Sequence, residues 1–588
     1  MCVYKTVLCV EGSLLPFILF LYHNVTSTPR TEDSKTPFDP HRNSAKAHVK
    51  LKTLAVLLLA AYPILLTTPT IMLKLFLLTT TAVLLPTGSA KPPSPWKCHT
   101  VHRPNLYVGT KTCSPVPIST GLMWYAKGDL SKIRHTAEMN DNLKRWGWSA
   151  HNGQDFGRHA LLDPKAQIHL TTEYMADQES ASNSWTMRIS GDLTKTGQKN
   201  TNTQDRNDVS LVFYVTNADP SGHMALASTA AAQGPSSTIT GTTKKEGRFS
   251  FEIVRTTSED LNSQRRVVTH HSKKNRHTNR PGFASVSSSQ VHSAQLRRNP
   301  ERLWQTKDLL LPLWQTSQRS AYNLVQEEHE EHAENEDEED TPMPDPFVLP
   351  LLMNTTEKKA NLIALQYTLA APFELIVRYQ EHNEEASEKS EGNKAKTTVA
   401  TTIAATNQMV DIATQRFNTR FEHIFGLHSK GYDGKQIEFA QAAFSNLIGS
   451  TTYFYGSSSV KPTQPNQPPG TTVAGPLITG VPSRSFFPRG FLWDEGFHQL
   501  LVSAWNPSLS RTVVGHWLNR MDENGWIPRE QILGPEAVSK VSGVGRVAPG
   551  SWFVVVEMIR PVVDVRVFFV FFLFGSISVS WWHICPWF

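Results

Sequence analysis

The chain has 588 residues, of which 39% are hydrophobic, and a formal net charge of +6. That length admits two or more domains at about 100–200 residues each, and the low apolar share implies that part of it is linker or tail. The basic residues near 265–300 sit in Ser-, His- and Asn-rich text such as THHSKKNRHTNRPG. That is a solvated loop and not the aromatic-bearing basic face of a nucleic-acid binder, so no nucleic-acid partner is expected.

Residues 1–50 read as a polar tail. Leu51 to Leu85 is almost wholly apolar, interrupted by Lys74 and two prolines, and has room for the ~20 residues of a membrane-spanning helix. Arg30, Lys35, Arg42, Lys46, Lys50 and Lys52 lie before or at its start, so the positive-inside rule puts 1–50 in the cytosol and the body in a lumen. The expectation is a single-pass anchor at 51–85, although TGSA at 87–90 also fits a signal-peptidase site. Asn354, in an NTT sequon, would then be open to glycosylation and Asn24, in NVT, would not. Cys98 and Cys113 flank the first ordered block, and the sequence leaves open whether they pair or stay free.

From 96 to about 400, short alternating stretches and turn pairs such as HNG and LDP predict antiparallel strands. GRFSFEIVR alternates as a half-buried strand should. We read a β-sandwich with disordered insertions at about 255–300, 327–346 and 380–398. The run EEHEEHAENEDEED (327–340) buries too little apolar surface to fold, and its isolated histidines predict no metal site.

Near 400 the period changes. Met409, Ile412, Ala413, Phe417, Phe421, Ile424 and Phe425 recur at three- and four-residue steps, which predicts an amphipathic helix. Ile437, Ala440, Phe444, Leu447 and Ile448 predict a second. Leu509, Val513, Trp517 and Met521 predict a third, with Ser508 as N-cap and Gly525 as C-cap.

Two segments between or beside these helices carry chemistry: SRSFFPRGFLWDEGFHQLL (483–501) and NGWIPREQILGPEA (524–537). Each couples tryptophan and glycine to a carboxylate, with an arginine and a proline close by. Aromatic platforms stack sugar rings while carboxylates accept from hydroxyls. Glycosidases also need one protonated acid whose pKa is raised by an apolar surround or a like charge. Asp494 has both in sequence: Trp493 and Phe491 for desolvation, Glu495 for repulsion. The plainer readings are that Asp494 caps a helix starting near Glu495, and that Glu530 bridges to Arg529 or Arg520.

These segments resemble glycoside hydrolase family 63, the processing α-glucosidase I family. So do TGLMWY (120–125), RHTAEMNDNLKRWGWSAHNGQDFG (134–157), LTTEY (170–174) and KGYDGKQIEFAQAAFSNLIGSTTYFYGSS (430–458). The resemblance implies a multidomain protein: an N-terminal membrane anchor, a β-sandwich, and an all-α (α/α)6 toroid over 401–545. It implies inverting removal of the terminal α-1,2-linked glucose from the glucosylated N-glycan precursor at the endoplasmic reticulum membrane, without cofactor or metal. By the same resemblance Asp494 is the general acid, and Arg489, Trp493, Glu495 and Glu530 line the substrate pocket. The sequence departs from the family after Lys540. Residues 546–588 are an atypical hydrophobic tail, read either as real or as a gene-model artefact. Twelve helices with loops need about 200 residues, so the toroid over 401–545 is expected to be incomplete. After Lys540 the only acids are Glu557 and Asp564, and no general base is identified. Water attack is therefore expected to slow by about 10²–10⁴-fold, and the chain as written to show no useful glucosidase activity. The alternative is a catalytically silent, lumenal carbohydrate-binding membrane protein.

Overall fold

A computed structural model describes residues 96–177, 183–194, 208–226, 236–256, 291–331, 347–349, 359–382, 399–460, 470–522 and 527–541. The tail 1–50, the apolar stretch 51–85, Asn24, Asn354, Gly525 and the segment 546–588 lie outside these residues. Among the described residues, no helix is long and apolar enough to cross a membrane.

Two antiparallel sheets, of six and eight strands, dominate residues 100–382. In the six-stranded sheet, Ile118–Ala126 pairs with Asp208–Asn217, which pairs with Leu362–Ala370. Successive side chains of a strand point to opposite faces, and here both faces are covered. Leu122, Trp124, Leu211 and Phe213 join the core shared with the eight-stranded sheet. Met123, Tyr125, Val212 and Tyr214 face the other way, onto a helix. That is why GLMWY and SLVFYV read as continuous apolar runs.

The covering helix is α1 (Thr306–Glu331), which the sequence pattern does not announce. Its own Leu310 and Trp314 are fully buried, and the Trp314 indole donates to Gln366 Oε1 at 3.2 Å. Pro312 and the acidic run obscure its periodicity. The insertion expected from 327 is corrected accordingly, since α1 runs through Glu331. The other two expected insertions are also too long. His292–Leu296 is a strand paired with Leu362–Ala370, and Phe373–His382 stays in the eight-stranded sheet through His382. In each case the partner strand, distant in sequence, holds a segment whose own text is polar.

Cys98 and Cys113 are disulfide-bonded, with Cα atoms 5.7 Å apart and a sequence separation of 15. The bond staples Thr100–His102 to Thr110–Thr112 at the sheet edge. Replacing Cys113 with alanine is expected to lower stability by about 3 kcal/mol through the freed loop, read as a urea-midpoint shift that reductant reproduces in the parent chain. No shift with either treatment would contradict this.

Beyond 398 the described chain is mainly helical: α2 (Val399–Phe425), α3 (Gly434–Gly449), α4 (Leu492–Trp505), α5 (Pro507–Leu518) and the short α6 (Pro535–Ser539). Among the described residues these do not close a twelve-helix ring. The buried stripe of α2 runs Ile403, Thr406, Val410, Ala413, Phe417, Phe421, Phe425. Met409 and Ile412, expected in that stripe, are 40% and 55% exposed; they fall just off the angular window that the later phenylalanines define. Phe421, Phe425, Phe444 and Trp505 form one ring cluster, with centroids 4.7–6.5 Å apart. An Asp433–Gln436 capping box starts α3. The cap of α5 is Asn506, whose side chain accepts from Leu509 N, and not Ser508. Ser508 Oγ instead accepts from Trp96 N at 2.8 Å.

The helices lie on the eight-stranded sheet. Asn446 of α3 mimics a strand edge, accepting from Trp148 N and donating to Trp148 O, both at 2.9 Å. Ala150, Phe156 and Met175 of the sheet share one core with Phe417, Ile448 and Trp505.

Candidate active site

The two chemistry-bearing segments meet. Gly490–Phe491 pairs antiparallel with Glu530–Gln531, and Leu492 N donates to Arg529 O at 2.8 Å. From this short ladder the chain turns directly into α4, with Phe491 extended as its N-cap. Asp494 is therefore not the cap. It lies with Glu495 in the first turn, where the helix dipole favours negative charge.

The two acids point into different surroundings. Glu495 is 1% exposed. Its carboxylate accepts from Gly480 N at 2.7 Å, Gln499 Nε2 at 2.5 Å and the Thr479 hydroxyl, and His498 Nδ1 stands 3.7 Å from Oε1. Burial alone would raise its pKa. His498 and the donated hydrogen bonds outweigh burial and hold the carboxyl below its ordinary value. Glu495 is thus an internal anion tying α4 to the strand end at Thr479–Gly480. The resemblance expects it to line the substrate pocket; here its carboxylate is enclosed by Thr479, Gly480, Gln499 and His498.

Asp494 is half-buried, and its carboxyl is raised above the ordinary range. Burial is the largest cause. His498, the residue's own amide and Arg529 pull the other way, and the Glu495 charge adds a little upward. Trp493 is 60% exposed, leaning on Phe497 with ring centroids 5.9 Å apart. It forms an aromatic surface open to solvent.

Arg489 and Glu530 form a close ion pair across the ladder. Glu530 pairs with neither Arg529 nor Arg520, and Arg520 Nε donates instead to Gln531 Oε1 at 3.1 Å. The Arg489 guanidinium lies 5.5 Å from the ring centroids of both Phe487 and Phe491, within cation–π range. Its buried Nη1 has no partner among the described residues. Phe486 and Phe487 are 51% and 47% exposed. The site therefore offers a raised carboxyl, exposed aromatic faces and a guanidinium with a spare donor.

Two neighbours of the site carry no signal in the sequence pattern. His498, one turn beyond Asp494, was visible in the quoted stretch but has no signal of its own. Arg484 fastens the loop to the sheets, donating to Pro104 O at 2.9 Å and Leu106 O at 2.5 Å. A separate cleft of about 380 Å³ between the sheets and the helices is lined by Lys111, Trp304, Tyr453, Phe454, Tyr455 and Glu536, among others; Asp494 does not line it. Among the described residues no group of three or more His, Cys, Asp or Glu is placed to hold a metal ion.

Residues 100–346 match the Glycosyl hydrolase family 63 N-terminal domain and residues 401–544 the Glycosyl hydrolase family 63 C-terminal domain. Mannosyl-oligosaccharide glucosidase of Arabidopsis thaliana is 29% identical over 449 residues, covering 75% of this chain and 44% of that protein. The probable mannosyl-oligosaccharide glucosidase of Schizosaccharomyces pombe is 27% identical over 475 residues, covering 75% and 51%. Its namesake in Saccharomyces cerevisiae is 25% identical over 466 residues, with the same two coverages. The chain spans about half the length of these relatives. A bacterial glucoamylase complexed with acarbose aligns over 77% of this chain and 54% of that one, at a TM-score of 0.27 and 8% identity, too slight a likeness to bear on the site. On its two matched domains and these relatives, the chain belongs to glycosyl hydrolase family 63.

Proposed function

We propose that the chain is a glycoside hydrolase of N-glycan processing, removing the terminal α-1,2-linked glucose from a glucosylated oligosaccharide with inversion. Asp494 is the general acid that protonates the departing oxygen. The observation that carries this reading is the contrast between adjacent carboxyls. Glu495 is enclosed with its carboxyl held below the ordinary value, while Asp494 is half-buried with its carboxyl raised, chiefly by burial, the direction that a general acid needs. Trp493, Phe486 and Phe487 would stack the sugar, and Arg489, oriented by Glu530, would donate to a hydroxyl. The names of the relatives support the substrate class. We also propose that residues 51–85 anchor the protein in the endoplasmic reticulum membrane with its body in the lumen.

An inverting enzyme places its base about 6.5–9.5 Å from the acid. Glu495 is enclosed and Glu530 is held by Arg489, so neither is free for that role, and no base is assigned. The same observation favours a second reading, carbohydrate binding without hydrolysis. Incubating the full chain with a glucosylated oligosaccharide separates the two. Released glucose supports the hydrolase, binding without release over long incubation supports the second reading, and neither binding nor release contradicts both.

A further inference from the structure

Asp494 and His498 are four residues apart on α4 and so share a face of the helix, while Glu495 lies between them on the inner side. The Nδ1 edge of the His498 ring faces Glu495 Oε1 at 3.7 Å, an ion-pair separation longer than a hydrogen bond, and Nδ1 has no hydrogen-bond partner among the described residues. Gly480 packs against the same edge so closely that a Cβ there would run into Nδ1. The strand end that supplies Gly480 also donates to Glu495 through Thr479 and the Gly480 amide.

The charged groups facing it are few. Asp494 and Glu495 come from its own helix, and the Thr479–Gly480 strand end brings no titratable side chain. Arg529, just before the Glu530–Gln531 strand, acts on Asp494 from the other side. Burial pushes the imidazole pKa down, but the Glu495 carboxylate and the Asp494 charge outweigh it, so the ring keeps its proton above its ordinary value.

We propose that His498 is a positioning residue for the candidate acid: an imidazolium seated on Glu495, one turn after Asp494, that sets the pH range over which Asp494 keeps its proton. A cation one helical turn away favours the carboxylate and offsets part of the upward push of burial. Without it the upward push of burial on Asp494 would go less opposed. The inference rests on the reading of Asp494 as the acid.

The test is a carboxyl titration of the full chain with 13C-labelled aspartate, the Asp494 signal being assigned by its absence in Asp494→Asn. In His498→Gln the Asp494 midpoint is expected to rise by about one pH unit, and any alkaline limb of glucose release should rise with it. A purely structural role for His498 would leave the midpoint where it is. In a parallel titration of labelled histidine, the signal missing from His498→Gln should have a midpoint above the ordinary histidine value in the parent and fall in Glu495→Gln. An unmoved Asp494 midpoint, or a His498 midpoint at or below the ordinary value, overturns the proposal. If Asp494 responds as expected while Asp494→Asn keeps full turnover, the reading of the acid fails and the charge coupling stands.

Discussion

Replacing Asp494 with asparagine is expected to lower glucose release about 10²–10⁴-fold, the contribution of a positioned acid to bond cleavage. Asparagine keeps the shape and the first-turn position but has no proton to give. The loss should not come from unfolding. A carboxyl whose pKa is raised in the fold favours folding while protonated and loses that contribution as pH rises through its folded value. At neutral pH the charged form of Asp494 is therefore a burden that asparagine removes. Glucose release and urea midpoint, measured together on parent and variant, should show the first falling and the second holding or rising slightly. Unchanged release would remove Asp494 from the mechanism, and a fall in both would assign it to the fold.

Glu495 should behave in the opposite way. Truncation to alanine leaves the Gly480 amide, the Thr479 hydroxyl and the Gln499 amide without their acceptor and strands His498 as a buried cation. Removing one partner of a buried pair costs about 3–5 kcal/mol, so the variant should unfold at much lower urea. The pH dependence follows from the direction of the shift. Burial opposes the charge, the donated bonds and His498 prevail, and the folded-state pKa lies below the ordinary 4.5. The stabilisation is then complete above about pH 4.5 and lost as pH falls through the folded value. Glu495→Gln should flatten that acid limb. A loss under about 1 kcal/mol in Glu495→Ala would show that the enclosed carboxylate is not the anchor of α4.

The parts of this fold legible in sequence are those whose signal is local. GRFSFEIVR alternates and is a strand with Phe249, Phe251 and Ile253 buried. The stripe Ala440, Phe444, Leu447, Ile448 is the buried face of α3. The segment around Asp494 stood out because glycines, aromatics and carboxylates rarely crowd together without a site. What stayed hidden depends on partners far along the chain. His292–Leu296 is polar text made into a strand by Leu362–Ala370. The Arg489–Glu530 pair spans 41 residues, so neither residue signals the other. Adjacency made Glu495 look like the perturber of Asp494, yet its role is set by Thr479 and Gly480, about fifteen residues earlier. Burial, which acts through three-dimensional neighbours, proved the larger cause at Asp494.

The central claim, that Asp494 supplies a proton to the leaving group, is tested most directly by changing how much the leaving group needs one. Fluoride departs from α-glucosyl fluoride with little protonation, whereas a sugar hydroxyl leaves only when its oxygen is protonated. Hydrolysis of both substrates is measured for the full chain and for Asp494→Asn. The expected result is that the variant cleaves the fluoride within about tenfold of the parent while its release of glucose from the oligosaccharide falls about 10²–10⁴-fold. Equal losses on both substrates would contradict a proton-donating role for Asp494.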